Sequence, residues 1–118
     1  MIALIEDNQG DVLIYQRTFL KGEGFDLFER LDDFLDSKTS YDKVVLDLNL
    51  PDSYGLDLVR SVRAKHEGLL IVITGLSSGY LRGKNMHDII QAGANDVFQK
   101  DFISDEAYRK MIEDTLNV

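Results

Sequence analysis

The chain alternates short apolar runs with amphipathic stretches. Residues 2–6 (IALIE) are an apolar run ended by an acid, the pattern of a buried strand. Residues 9–21 carry Val12, Leu13, Tyr15, Phe19 and Leu20 at roughly helical spacing, and Gly22 and Gly24 are expected to stop that helix. Residues 25–30 (FDLFER) read as a strand and 32–38 as a short helix. Residues 43–48 (KVVLDL) give a further buried strand; after Pro51, Leu56, Leu58, Val59 and Val62 mark a helix to about residue 66. Residues 69–74 (LLIVIT) form the most apolar strand. The polar, glycine-rich 75–85 (GLSSGYLRGKN) reads as a loop and a poor helix start, followed by a helix over 86–92 that Gly93 stops. Residues 95–99 are a last strand and 104–117 a last helix, with Ser104 as its N-cap and Asp105 and Glu106 in its first turn.

Strand followed by helix, repeated along the chain with strands too apolar to leave one face wet, predicts a parallel sheet covered by helices on both sides. Residues 1–118 read as one domain, long enough to bury a core without staples. The chain has no cysteine, which excludes a disulfide framework, a thiolate zinc site and a cysteine nucleophile. That composition fits a reducing cytosol, so a cytoplasmic location is expected. No apolar run is long enough for a membrane span. Thirteen Lys and Arg against 21 Asp and Glu give a net charge of −8, the wrong sign for direct nucleic-acid binding.

Open parallel sheets bind ligands at the carboxyl ends of their strands. The predicted strands place Glu6, Asp7, Asp47, Thr74 and Lys100 there. Clustered carboxylates repel one another unless a cation sits among them. Hard oxygen donors with few histidines suit Mg²⁺. A Lys and a Thr opposite the cation can hold the remaining oxygens of a phosphoryl group, and a carboxylate can itself be the nucleophile, forming an aspartyl phosphate. The set reads as a phosphoryl-transfer site that works by positioning and charge neutralisation. Singly, each residue has a plainer reading: a helix cap, a packed hydroxyl, a snorkelling ammonium. Their joint placement on four strand ends is what carries the specificity.

Competing motifs fare worse. Gly75-Leu76-Ser77-Ser78-Gly79 matches the nucleophile elbow of a serine hydrolase, but only His87 follows it, with Asp88 after rather than before. Gly83-Lys84 lacks both the first glycine and the Ser/Thr of a P-loop, since Ser78 and Asn85 stand there. His66 and His87 read as surface helix residues. A flavin phosphate would need a Ser/Thr-rich loop after the first strand, but the acidic EDNQGD stands there and would repel a phosphate without a metal.

With IALIEDN, VVLDLNLPDSYGLDLVRSVR, LLIVITG and QAGANDVFQK in that order, the sequence resembles the receiver domain of two-component response regulators over essentially its whole length. The resemblance implies a doubly wound, flavodoxin-like α/β fold with a five-stranded parallel sheet of order 2-1-3-4-5. It implies that Asp47 is the phosphoacceptor and that Mg²⁺ is held by Asp7, by Glu6 directly or through water, by Asp47 and by the backbone carbonyl of Asn49. Thr74 would contact the phosphoryl group and switch with it, Lys100 would pair with it, and Gly75 would leave it room. Asn49 and Leu76 would flank the path of the hydrolytic water. A histidine kinase or phosphotransfer protein would supply the phosphoryl group. A downstream protein or fused effector domain would read it, and a homodimer is left open. The implied chemistry is self-phosphorylation and slow autodephosphorylation, not catalysis on a foreign substrate. The alternative is a pseudo-receiver, an interaction module without phosphoryl transfer.

Three departures from the family pattern carry expectations of their own. Val97 stands where an aromatic residue often precedes the lysine by three, and Phe98 should face the other way along the strand. Asp101 replaces a frequent proline after Lys100, so a trans peptide is expected there and Asp101 would compete for Lys100. Gly75, Gly79 and Gly83 disfavour helix, so the fourth helix is expected to be short, shifted or mobile.

Overall fold

Five parallel strands run through the middle of the molecule and, numbered along the chain, lie side by side in the order 2-1-3-4-5. The computed structural model describes residues 1–75 and 84–117. The strands are β1 (Ile2–Ile5), β2 (Phe25–Phe28), β3 (Lys43–Leu46), β4 (Leu69–Thr74) and β5 (Asp96–Gln99). The helices are α1 (Gln9–Arg17), α2 (Leu31–Asp36), α3 (Gly55–Lys65), α4 (Lys84–Ala92) and α5 (Glu106–Leu116), with a 3₁₀ turn over Lys100–Phe102. This is the doubly wound order expected from the sequence.

The alternation of strand side chains sorts the core into two layers. Ala3, Ile5, Val44, Leu46, Leu70, Val72 and Val97 face α2, α3 and α4, meeting Leu31, Phe34, Leu58, Val59, Val62 and Ile89. Leu4, Val45, Ile71, Ile73 and Phe98 face α1 and α5, meeting Val12, Tyr15, Ile112 and Leu116. Strands covered on both faces must be apolar at every position, which is why 2–5 and 69–74 show no polar alternation. Val97 and Phe98 do face opposite layers, as their adjacency on β5 requires.

Several boundaries differ from the sequence reading. The first helix ends at Arg17, well before the glycines: the Thr18 hydroxyl donates to the Ile14 carbonyl at 2.7 Å, and the chain turns through Lys21 N–Thr18 O (3.0 Å) to Gly22 at φ +80°. Phe19 and Leu20 are buried from that turn, not from a helix. In α5 the cap is Asp105, whose side chain accepts from Tyr108 N at 3.1 Å, and not Ser104. His66 is buried rather than superficial, because it ends α3 and turns its ring under β4, with Nε2 2.7 Å from the Leu69 carbonyl. The fourth helix starts at Lys84, two residues earlier than expected. The remainder of the glycine–serine loop, with Leu76, Ser77, Ser78, Gly79 and Gly83, lies outside the described residues.

Two basic side chains of α3 organise its surroundings. Arg63 donates to the carbonyls of Gly93 (2.9 Å), His66 and Gly68 (both 2.8 Å) and to Asn95 Oδ1 (3.0 Å). Lys65 donates to the carbonyls of Phe34, Leu35 (3.0 Å) and Ser37 (2.6 Å), satisfying the carboxyl end of α2. Among the described residues, no helix is long and apolar enough to cross a membrane.

Candidate functional site

The site forms where β1, β3, β4 and β5 end. Two backbone bonds continue the ladder past the strands and fix the acids: Glu6 N donates to Phe28 O at 2.9 Å, and Asp47 N to Ile5 O at 3.0 Å. Because β1 and β3 are paired neighbours, Glu6 and Asp7 are set beside Asp47. One carboxylate oxygen from each of the three lies within 4.8 Å of the others. Glu6 is fully buried and Asp47 is buried, whereas Asp7 is exposed. Thr74, also buried, ends β4, and Lys100 follows β5. Asp7, Asp47, Asn49, Thr74, Gly75 and Lys100 line one open cleft. The sequence-predicted residues described here therefore come together; Leu76 lies outside the described residues.

The electrostatics are those of acids gathered around one ammonium. Lys100 Nζ lies 2.7 Å from Asp11 Oδ2, 2.8 Å from Glu6 Oε1 and 3.4 Å from Asp47 Oδ1. Burial pushes the Glu6 carboxyl up to about 7; Lys100 opposes that rise and the adjacent Asp47 adds to it. For Lys100, burial works against the charge, but its bonds to Asp11 and Glu6 outweigh burial and raise it above the ordinary lysine value. Tyr15 reaches over the same acid, its hydroxyl 3.4 Å from Glu6 Oε1, and its phenol is pushed up by burial and then by the charge of Glu6.

The loop after β3 is tied back on itself. Asn49 bridges to Tyr54, Leu50 N donates to Ser53 O at 2.9 Å, and Gly55 N to Leu48 O at 2.8 Å. That turn needs the φ of +66° that Gly55 supplies. It leaves Asn49 exposed at the cleft. At Gly75 a Cβ would meet Lys100 Cδ at 3.7 Å, so this glycine keeps the wall beside the lysine low.

Asp101 does not compete for Lys100. It is exposed, on the 3₁₀ turn, while the ammonium points across the sheet end to Asp11, Glu6 and Asp47. Asp11 is the site residue the sequence reading missed. Its available signal was an acid one helical turn before Tyr15, on the stripe of α1 that faces the sheet. Among the described residues there is no cis peptide, in keeping with the expected trans bond after Lys100.

The family model of the response regulator receiver domain matches residues 2–113. This chain belongs to that family. The receiver is 33% identical over 112 residues to the cell cycle transcriptional regulator CtrA of Caulobacter vibrioides, covering 89% of the receiver and 46% of CtrA. It is 26% identical over 134 residues to hybrid signal transduction histidine kinase B of Dictyostelium discoideum, covering 98% of the receiver and 7% of the kinase. The chain thus spans less than half the length of these relatives. Among solved structures, the BeF₃-activated DrrB receiver domain matches with a TM-score of 0.76 and 26% identity, over 99% of this chain and 97% of that one. The receiver domain of sensor histidine kinase PA1611 from Pseudomonas aeruginosa, with a magnesium ion coordinated in its active-site cleft, matches with a TM-score of 0.69 and 26% identity, over 95% and 92% of the two chains. In the present receiver the gathered hard oxygen donors of Glu6, Asp7 and Asp47 suit the same class of ion.

Proposed function

We propose that this receiver accepts a phosphoryl group on Asp47 from a histidine kinase or phosphotransfer protein and switches partner binding with it. The observation that carries the reading is the placement of Asp47 in the cleft, with its Oδ1 3.4 Å from the Lys100 ammonium and Thr74 on the same wall. An Asp47 carboxylate oxygen attacks the donor phosphorus in line; the new O–P bond forms as the P–N bond of a phosphohistidine breaks and its electron pair returns to the imidazole. Lys100 and the Thr74 hydroxyl hold the transferred oxygens and stabilise their developing charge. Glu6, Asp7, Asp47 and the Asn49 carbonyl would hold Mg²⁺, which when bound neutralises negative charge on the acids and on the phosphoryl group. Water later cleaves the acyl phosphate, with Asn49 beside its approach. The added charge at Asp47 draws on Thr74 and Lys100, so the change is delivered to the segments that follow β4 and β5. A separate output protein or a fused effector domain reads it there.

The alternative is an interaction module without phosphoryl chemistry. Val97 favours it, because a buried aliphatic residue in the core layer beneath α4 offers no aromatic rotamer to report the site. Intact mass after incubation with Mg²⁺ and acetyl phosphate separates the two, with wild type and Asp47→Asn in parallel. One added phosphoryl on the wild type alone is the expected result. An unlabelled wild type that also fails to bind beryllofluoride would select the module.

A further inference from the structure

We propose that Asp11 is a positioning residue that holds the Lys100 ammonium back in the unphosphorylated receiver and so restrains phosphoryl uptake. This rests on the reading of Asp47 as acceptor. A lysine ammonium has three N–H donors and no acceptor. The shortest of its three carboxylate contacts here is to Asp11, at 2.7 Å, and the longest is to Asp47, at 3.4 Å. The carboxylate oxygen closest to the ammonium thus belongs to an acid outside the cluster of Glu6, Asp7 and Asp47.

The position of Asp11 is built rather than incidental. Asn8 caps α1, and its Oδ1 accepts the Asp11 backbone amide at 3.0 Å, which fixes the first turn against the sheet end. The side chains of Asp11 and Lys100 are only 25% and 18% exposed, so solvent screens their attraction less than at an open surface pair. Among the described residues Lys100 is the only cation paired with Asp11. An incoming phosphoryl group needs the donors of Lys100, and the Asp11 bond must lengthen before they turn to it. Removing the Asp11 charge releases that hold.

The test compares initial rates of phosphoryl uptake from acetyl phosphate at fixed Mg²⁺. Asp11→Asn, which keeps the shape and removes the charge, is expected to take up phosphoryl about threefold faster or more, the scale of coupling between contacting groups. Asp11→Ala repeats the test and leaves the backbone bond to Asn8 intact. Asp101→Asn removes the same charge from a neighbouring exposed site without touching Lys100, and is expected to match wild type. In a Lys100→Ala background, Asp11→Asn is expected to change nothing, because the effect passes through the lysine. An acceleration shared by Asp101→Asn, one that persists without Lys100, or no acceleration at all would overturn the role of Asp11 while leaving Asp47 as acceptor. A wild type that takes up no phosphoryl group would overturn both.

Discussion

Asp52 caps the helix that begins at Leu31. Its carboxylate accepts the Leu31 amide at 2.9 Å and the Asp32 amide at 3.0 Å, while the residue at the cap position, Arg30, makes no side-chain bond. The loop that carries Asn49 is thereby fastened to α2. The bonds from the Asp32 and Leu31 amides outweigh burial and hold the Asp52 carboxyl below the usual carboxylate range. A carboxyl depressed in the folded state stabilises the fold above its unfolded pKa, and that contribution is lost as pH falls through the folded value. Asp52→Ala is expected to cost about 0.5–2 kcal/mol at neutral pH, the range for losing a helix cap. Urea denaturation should show the gap between variant and wild type closing in acid.

Glu6 predicts the opposite slope. Its carboxyl lies near 7 in the folded receiver against an ordinary value of 4.5, raised first by burial. Between those values the folded state binds more protons than the unfolded one, so this group's contribution to metal-free stability falls as pH rises. A divalent cation at the cluster competes with that proton. Mg²⁺ affinity is therefore expected to weaken about tenfold per pH unit as pH falls below about 7, the limit for one displaced proton. Calorimetric titrations across that range measure the slope, and Glu6→Gln should flatten it.

Gly93 and Arg63 form a second coupled pair. Gly93 sits at φ +131°, and a Cβ there would lie 2.6 Å from Arg63 Cγ. Gly93→Ala should therefore destabilise by about 1–3 kcal/mol through backbone strain and overlap. Arg63→Ala leaves several backbone carbonyls without their donor and should cost about 2–4 kcal/mol. The double variant should be less unstable than the sum, because the overlap needs the arginine. Thermal unfolding of all four proteins closes the cycle.

How much of this was legible in the sequence depended on how far each signal travels. The runs at 2–6, 43–48 and 69–74 announced buried strands because both faces of a parallel sheet are covered, and the acids and threonine at their ends, with the lysine after the strand at 95–99, then had to share an edge. The true end of α1 was hidden because Phe19 and Leu20 keep helical spacing while leaving the helix, and the Thr18 hydroxyl bond that precedes them is not a periodic feature. Ser104 and Asp105 are both good caps, and only the geometry of the preceding 3₁₀ turn chooses Asp105. The buried His66, the Asp52 cap and the pairing of Asp11 with Lys100 are contacts between residues 3, 20 and 89 positions apart or more. Only the first is local, and even there the sequence gives no sign of which way the ring turns. For Asp101, adjacency to Lys100 suggested a partner, but a side chain that reaches across the sheet end is indifferent to its sequence neighbour.

The hold of Lys65 on the far end of α2 has a consequence for cooperativity. Six residues are too few to persist as a helix unaided. With Asp52 at one terminus and Lys65 at the other, both ends of α2 are closed by side chains from the stretch that leads into and through α3. The protection of α2 amides against hydrogen exchange is thus borrowed. They should open with the same free energy as α3, as one foldon, and Lys65→Met should release α2 to exchange on its own while α3 stays closed.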